Sequence, residues 1–295
     1  MRRYIILIAL LTAAFFTSAA HGAGEQKIGV VTSIEPMAYF IERIGGDKAA
    51  IQVMVPPGGN PHTYEPLPSQ LVDLSKAGLY VEVGSGIEFE LQWMDKLAAL
   101  NKKMSVLNAS EGIELIDMEE HHHDDAHEEG HREEVKDPHV WLSPANAVIM
   151  AKNVSDAFIK IDPSNKDFYS KNAEELVKEL NSLKDDIDKE LKPLKERAFL
   201  VCHPSWGYFA RDFGLMQIVA KYSSKDLTPR EIMDIVKEAN DRNIKVVFAS
   251  PQFSKKDAET IAKEIKGTVV IVDPLSRDYI NNLKKAAKAF LEGMK

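Results

Sequence analysis

Short apolar runs alternate with helix-like segments along most of the chain, and they form two groups. The predicted strands are residues 28–32, 51–55 and 79–83 in the first group, and 199–203, 216–220, 246–249 and 269–272 in the second. Helical patterns lie between the runs, at residues 36–44 and 68–77 and from positions 228, 255 and 278. Apolar runs of this length between helices are typical of parallel strands buried on both faces.

A longer segment, residues 165–195, separates the two groups and carries an apolar residue at every third or fourth position. These residues are Ala173, Leu176, Leu180, Leu183, Ile187, Leu191 and Leu194. Such spacing places them on one face of an amphipathic helix. A coiled coil is the alternative, but the repeat is short, and a helix that joins two domains fits it better.

These patterns predict an α/β protein of two lobes, each with a mostly parallel sheet flanked by helices, joined by one long rigid linker helix. The expected boundaries are 24–162 for the N-terminal lobe, 163–195 for the linker helix and 196–295 for the C-terminal lobe. Two similar halves on one helix also predict a cleft between them.

Residues 1–23 have the features of a signal peptide. Arg2 and Arg3 precede an apolar stretch at 4–16, which is shorter than the ~20 residues of a spanning helix. Small residues follow, and cleavage is expected after Ala20 or Ala23; a retained membrane anchor is the alternative. No cysteine lies nearby for lipid attachment, so the sequence predicts a soluble, exported protein of the periplasm.

Composition narrows the possible functions. The chain has 295 residues, of which 44% are hydrophobic and 28% charged, and these are ordinary globular values. A net charge of −8 argues against nucleic-acid binding, which needs basic patches. Cys202 is the single cysteine, which excludes an internal disulfide and a structural zinc site built from thiolates.

Five of the nine histidines lie in one acidic segment, residues 119–134, which also carries eight acidic residues and a single basic one. They are His121, His122, His123, His127 and His131. A segment with so little apolar content predicts a mobile loop, and clustered imidazoles and carboxylates bind metals weakly. We expect it to capture metal or sense its abundance; a merely solvated acidic loop is the alternative.

Three other histidines stand alone in the folded parts of the chain. His62, His139 and His203 each adjoin a proline and lie near the end of a predicted strand or the start of a helix. Asp273 has the same setting, since it follows a predicted strand and precedes a proline. Ligands of open α/β sheets bind beyond the carboxyl ends of strands, and three imidazoles with one carboxylate suit zinc. The alternatives are an ordinary polar histidine at each strand end and an aspartate that only makes a turn.

Enzyme motifs are missing from the sequence: it has no phosphate-binding loop, dinucleotide fingerprint, His-Glu-x-x-His pair or Gly-x-Ser-x-Gly elbow. A zinc hydrolase stays an alternative, because three histidines also make catalytic sites that keep one position open for water. Glu65 is then the candidate general base. A surface adhesin with incidental metal is a third possibility, for which the sequence shows no anchor.

Four stretches of the sequence resemble the metal-binding subunits of bacterial ABC importers for zinc and manganese, the TroA-like/ZnuA-like family (cluster A-I, bacterial solute-binding protein family 9). The stretches are residues 59–66 (GNPHTYEP), 137–144 (DPHVWLSP), 203–209 (HPSWGYF) and 272–275 (VDPL). In order and context they cover nearly the whole chain after residue 23. The single cysteine, Cys202, departs from the pattern of some zinc-specific members, which carry a disulfide in the C-terminal lobe.

The resemblance implies a binding protein, not an enzyme, with metal held between the lobes by His62, His139, His203 and Asp273. It also implies a monomer that delivers the ion to a membrane permease powered by a cytoplasmic ATPase. Manganese-binding members usually have a carboxylate where this chain has His203, and imidazole-rich sites favour zinc. Zn(II) is therefore the expected ligand and Mn(II) the alternative.

Overall fold

The computed structural model describes residues 27–118, 135–220 and 227–294. The first half contains β1 (Ile28–Thr32), α1 (Glu35–Gly45), β2 (Ala49–Val53), α2 (Pro68–Leu74), β3 (Leu79–Glu82), α3 (Glu88–Leu100), β4 (Ser105–Asn108) and α4 (Pro144–Ile161). The second half follows the long helix α5 (Lys166–Leu191). It contains β5 (Ala198–Val201), α6 (Gly207–Phe213), β6 (Met216–Val219), α7 (Pro229–Asp241), β7 (Val246–Ala249), α8 (Lys256–Glu264), β8 (Thr268–Ile271) and α9 (Tyr279–Gly293).

Each half holds one four-stranded sheet in which all neighbouring strands are parallel. The orders are β2-β1-β3-β4 and β6-β5-β7-β8, so the two sheets share one topology. In each sheet the winding reverses between the first and third strands of that half. Loops diverge at such a switch point and leave a crevice beyond the carboxyl ends of the strands. The predicted α/β fold with two parallel sheets is confirmed.

The most deeply buried strands give the clearest apolar runs in the sequence, and the exposed edge strand β4 gives none. All four residues of β5 are buried, as are the first three of β3, so each is a continuous apolar run. The edge strand β4 exposes three of its four residues and has no such run. The sequence therefore did not predict β4, or the α3 helix that leads to it.

Helix α5 packs its apolar face against both halves of the protein. Its contacts are with α1 and α4 on one side and with α6 and α9 on the other. The buried residues are Tyr169, Ala173, Leu176, Leu180, Leu183, Ile187 and Leu191. Its 26 residues span about 39 Å. The helix ends at Leu191, two residues before Pro193, which lacks an N–H and disfavours helix at the residue before it.

The two halves also contact each other directly. Apolar residues of both belong to one hydrophobic cluster. Trp141 of the first half donates from Nε1 to the Pro274 carbonyl at 2.8 Å, and the Tyr279 hydroxyl donates to the Trp141 carbonyl at 2.5 Å. Arg277 pairs with Glu42 at 3.1 Å across the same boundary. None of the helices described here has the length and apolar character to cross a membrane.

Candidate metal centre

Three histidines from distant parts of the chain meet in the cleft between the two halves. Ring nitrogens of His62, His139 and His203, one from each residue, all lie within 4.8 Å of one another. The Nε2 atoms of His62 and His203 are 3.3 Å apart. Nitrogens this close can all reach one small ion.

Each histidine follows from local features of the sequence. His62 lies in the turn after β2, where its backbone N–H donates to Asn60 Oδ1 at 2.9 Å. His139 comes just before the short 3-10 turn Val140–Leu142, and its N–H donates to Asp137 Oδ1 at 2.9 Å. His203 lies in the bend after β5, two residues beyond the end of the strand, which was predicted to reach it. It therefore sits at the switch point of the second sheet.

Carboxylates support two of the three rings from behind. Asp137 Oδ1 lies 2.8 Å from His139 Nδ1, and Glu88 Oε1 lies 2.8 Å from His62 Nδ1. A carboxylate at Nδ1 holds the proton on that nitrogen and leaves the Nε2 lone pair for a metal. The two histidines are thus presented in the tautomer that a ligand needs.

His203 has a different environment. Its ring lies against that of Phe253, with a centroid distance of 4.4 Å. Burial in the cleft, together with the neighbouring imidazoles of His139 and His62, lowers the pKa of His203 well below its usual range. The ring is therefore neutral near pH 7, and neutral imidazole is the form that coordinates.

Asp273 does not lie in the group formed by the three histidines. Its Oδ1 accepts hydrogen bonds from Gln252 Nε2 at 2.7 Å and from the Leu275 N–H at 2.9 Å. The other atom of that amide, Gln252 Oε1, is buried and without a hydrogen-bond partner in the described part of the chain. The role of Asp273 as a ligand stays a prediction.

A cavity of about 20 Å³ lies between the rings, which is room for a single ion or water-sized group. It is lined by Pro61, His62, Ile87, Glu88, Pro138, His139, Trp141, His203, Gln252, Phe253, Pro274 and Leu275. Imidazole nitrogens are good ligands for zinc, and three of them make a typical zinc set. The donor set therefore fits the predicted ion.

Sequence reasoning missed Glu88, Gln252 and Phe253. Glu88 follows the turn after β3, and its position beyond a strand end is the one feature that marks it in the sequence. That feature is weak, because the chain has many other acidic residues. Glu65, the candidate base of the hydrolase alternative, is exposed and does not line the cavity. The loop residues His121, His122, His123, His127 and His131 lie outside the described residues.

Two α/β lobes around a cleft that gathers three imidazoles define a bilobed metal-binding protein. The chain belongs to the ZnuA family, whose model is described as "Zinc-uptake complex component A periplasmic" and matches residues 30–293. This membership confirms the family resemblance of the sequence. The family is one of solute-binding transport proteins, so the protein is not an enzyme and the hydrolase alternative falls.

Individual relatives agree with the family. The chain is 31% identical over 272 residues to the high-affinity zinc uptake system protein ZnuA of Bacillus subtilis (strain 168), a match that covers 90% of this chain and 85% of that protein. A crystal structure of ZnuA superposes with a TM-score of 0.85 at 38% identity, covering 92% of this chain and 100% of that one. A zinc-bound deletion mutant of ZnuA superposes with a TM-score of 0.83 at 37% identity, covering 92% and 99%.

Proposed function

We propose that this protein captures Zn(II) outside the cytoplasm and delivers it to the permease of an ABC importer with its ATPase. The ion binds through Nε2 of His62 and His203 and a ring nitrogen of His139. The convergence of three ring nitrogens, one from each histidine, within 4.8 Å of one another carries the proposal. The zinc-uptake relatives support the same ion and an extracytoplasmic location for the chain.

Zinc is preferred to manganese because all three converging donors are imidazoles. Manganese favours more oxygen ligands, and zinc has the higher intrinsic affinity for most sites. Asp273 is the one predicted oxygen donor, and its Oδ1 is engaged by Gln252 and Leu275. A three-imidazole set with one further ligand gives the four-coordinate geometry that zinc adopts.

The test is metal content and affinity in the intact exported protein. We expect protein isolated from cells to contain zinc, and competition with a chromophoric chelator to show tight binding. His62→Ala, His139→Ala and His203→Ala should each lower zinc affinity by about 100-fold or more, since loss of a ligand costs at least as much as loss of its outer partner. Glu65→Gln is the control, because this carboxylate is near His62 in sequence but does not line the cavity.

Two results would contradict the proposal. One is unchanged zinc affinity in all three histidine variants. The other is retention of manganese over equimolar zinc by the wild-type protein. Delivery is tested separately, by zinc-limited growth of cells in which the wild-type gene is replaced by each variant; normal growth with a variant that does not bind zinc would remove the transport role.

A further inference from the structure

Glu88 contacts a candidate ligand from behind, and neither the sequence motifs nor the family description gives it a role. We propose that Glu88 is a positioning residue for the metal centre, which holds His62 so that its Nε2 faces the cleft. This inference rests on the proposed zinc-binding function. The carrying observation is that the two ring nitrogens of His62 have different partners: Nδ1 lies 2.8 Å from Glu88 Oε1, and Nε2 lies 3.3 Å from His203 Nε2.

His62 needs such a partner more than the other two histidines do. It is part of a turn and belongs to no strand or helix, and 24% of its side chain is exposed. The His139 side chain is only 7% exposed, and its ring packs against Trp141 at a centroid distance of 5.3 Å. Burial thus restrains His139 in addition to its bond to Asp137. The ring of His62 has looser contacts, with His203 at 5.0 Å and Phe253 at 5.8 Å between centroids, and relies more on its bond to Glu88 to stay in one rotamer and one tautomer.

Glu88 is itself held in place by the first turn of α3. Ile87 and Phe89, on either side of it, are almost fully buried. Two residues further on, Glu90 accepts hydrogen bonds from the N–H groups of Val83 at 2.7 Å and Gly84 at 2.9 Å. These bonds tie α3 to the end of β3, so Glu88 projects into the cleft from a fixed backbone.

A plain surface ion pair is the competing explanation, and such pairs contribute little to stability. The two explanations differ in what the contact controls. A surface pair affects neither the metal nor the tautomer of the ring, whereas an outer carboxylate raises metal affinity 10–100-fold by fixing the ligand. Since 43% of the Glu88 side chain is exposed, replacing it should not unfold the protein, which makes it a clean position to test.

The experiment is a double-mutant cycle on zinc affinity in the intact protein, measured by chelator competition. Glu88→Ala should weaken zinc binding about 10–100-fold. Glu88→Gln should lose less, because its amide oxygen still accepts the Nδ1 proton without the charge. The double variant His62→Ala/Glu88→Ala should bind no more weakly than His62→Ala alone, because Glu88 acts through His62. Glu65→Gln is the matched control and should bind like the wild type.

A second measurement reports the tautomer of the His62 ring. Long-range ¹H–¹⁵N NMR of the zinc-free protein should show His62 protonated on Nδ1 in the wild type and a mixture of tautomers in Glu88→Ala. Wild-type affinity and tautomer in Glu88→Ala, with binding still lost in His62→Ala, would overturn the positioning role and leave the proposed function intact. A loss as large as that of His62→Ala, or additive losses in the double variant, would make Glu88 a ligand in its own right and equally overturn it. Unchanged binding in His62→Ala would instead refute the proposed function.

Discussion

His139 and His62 reach the same cavity from opposite kinds of surroundings. His139 and its partner Asp137 are both buried, and Asp137 lies against the second half of the protein. His62 and its partner Glu88 are partly exposed on the rim of the first half. Both pairs join a ring Nδ1 to a carboxylate at 2.8 Å, but the His139 pair is enclosed in the core whereas the His62 pair is reached by solvent. Changes that displace Asp137 should therefore affect stability and zinc together, and changes at the exposed Glu88 should affect zinc alone.

The contact between Asp137 and His139 can be disrupted from Gly207, the first residue of α6. A β-carbon at this position would lie 2.5 Å from Asp137 Oδ2, which is too close without a shift of that carboxylate. We expect Gly207→Ala to cost about 1–3 kcal/mol of unfolding free energy through overpacking. Displacing Asp137 from His139 should also weaken zinc binding about 10–100-fold. Urea unfolding and chelator competition measure the two effects.

Gly78→Ala is the matched control, since its added β-carbon would meet Ile28 at 3.7 Å, an ordinary contact. The comparison between the two sides is wrong if Gly207→Ala lowers stability but leaves zinc affinity as it is in Gly78→Ala. That outcome would mean that His139 keeps its orientation without Asp137.

The rim side depends on Glu90, whose side chain anchors the turn that carries Glu88. Burial raises the pKa of Glu90 to about 7 from its usual 4.5, although hydrogen bonds from Ser33, Gly84 and Val83 oppose the shift. The folded protein therefore prefers protonated Glu90. Its contribution to stability is complete below about pH 4.5 and is lost as the pH rises through about 7.

Glutamine does not titrate, so Glu90→Gln isolates the pH-dependent part of this effect. Its amide nitrogen cannot accept, so one of the two bonds from the backbone is lost equally at every pH. In zinc-free protein, the stability of the wild type relative to Glu90→Gln should fall between pH 5 and pH 8, by on the order of 2 kcal/mol. Urea unfolding at several pH values measures the difference, in which the contributions of the histidines cancel. A difference that is constant with pH would show that Glu90 stays charged, and that the bonds from the backbone outweigh its burial.

The sequence was informative wherever a residue's role follows from its neighbours along the chain. Parallel strands buried on both faces leave apolar runs, and the face of α5 leaves a helical period, so both were predictable. The meeting of His62, His139 and His203 was expected because each lies beside a proline near a strand end or a helix start, and their role as ligands stays a prediction. The role of Glu88 was not predictable from its neighbours in the sequence, since it depends on a turn that brings α3 beside His62 in space.

Asp273 shares the local sequence pattern of the three histidines but differs from them in its contacts. Its place after a strand and before a proline matches the histidines, yet its Oδ1 is bonded to Gln252 and Leu275 and it lies outside the imidazole group. Asparagine at 273 keeps the acceptor oxygen and removes the charge. We expect Asp273→Asn to weaken zinc binding less than tenfold, the smallest effect of the set and well below that of His62→Ala. Chelator competition on Asp273→Asn and His62→Ala in parallel measures the difference. A loss in Asp273→Asn as large as that in His62→Ala would make Asp273 a ligand that moves into the site when zinc binds.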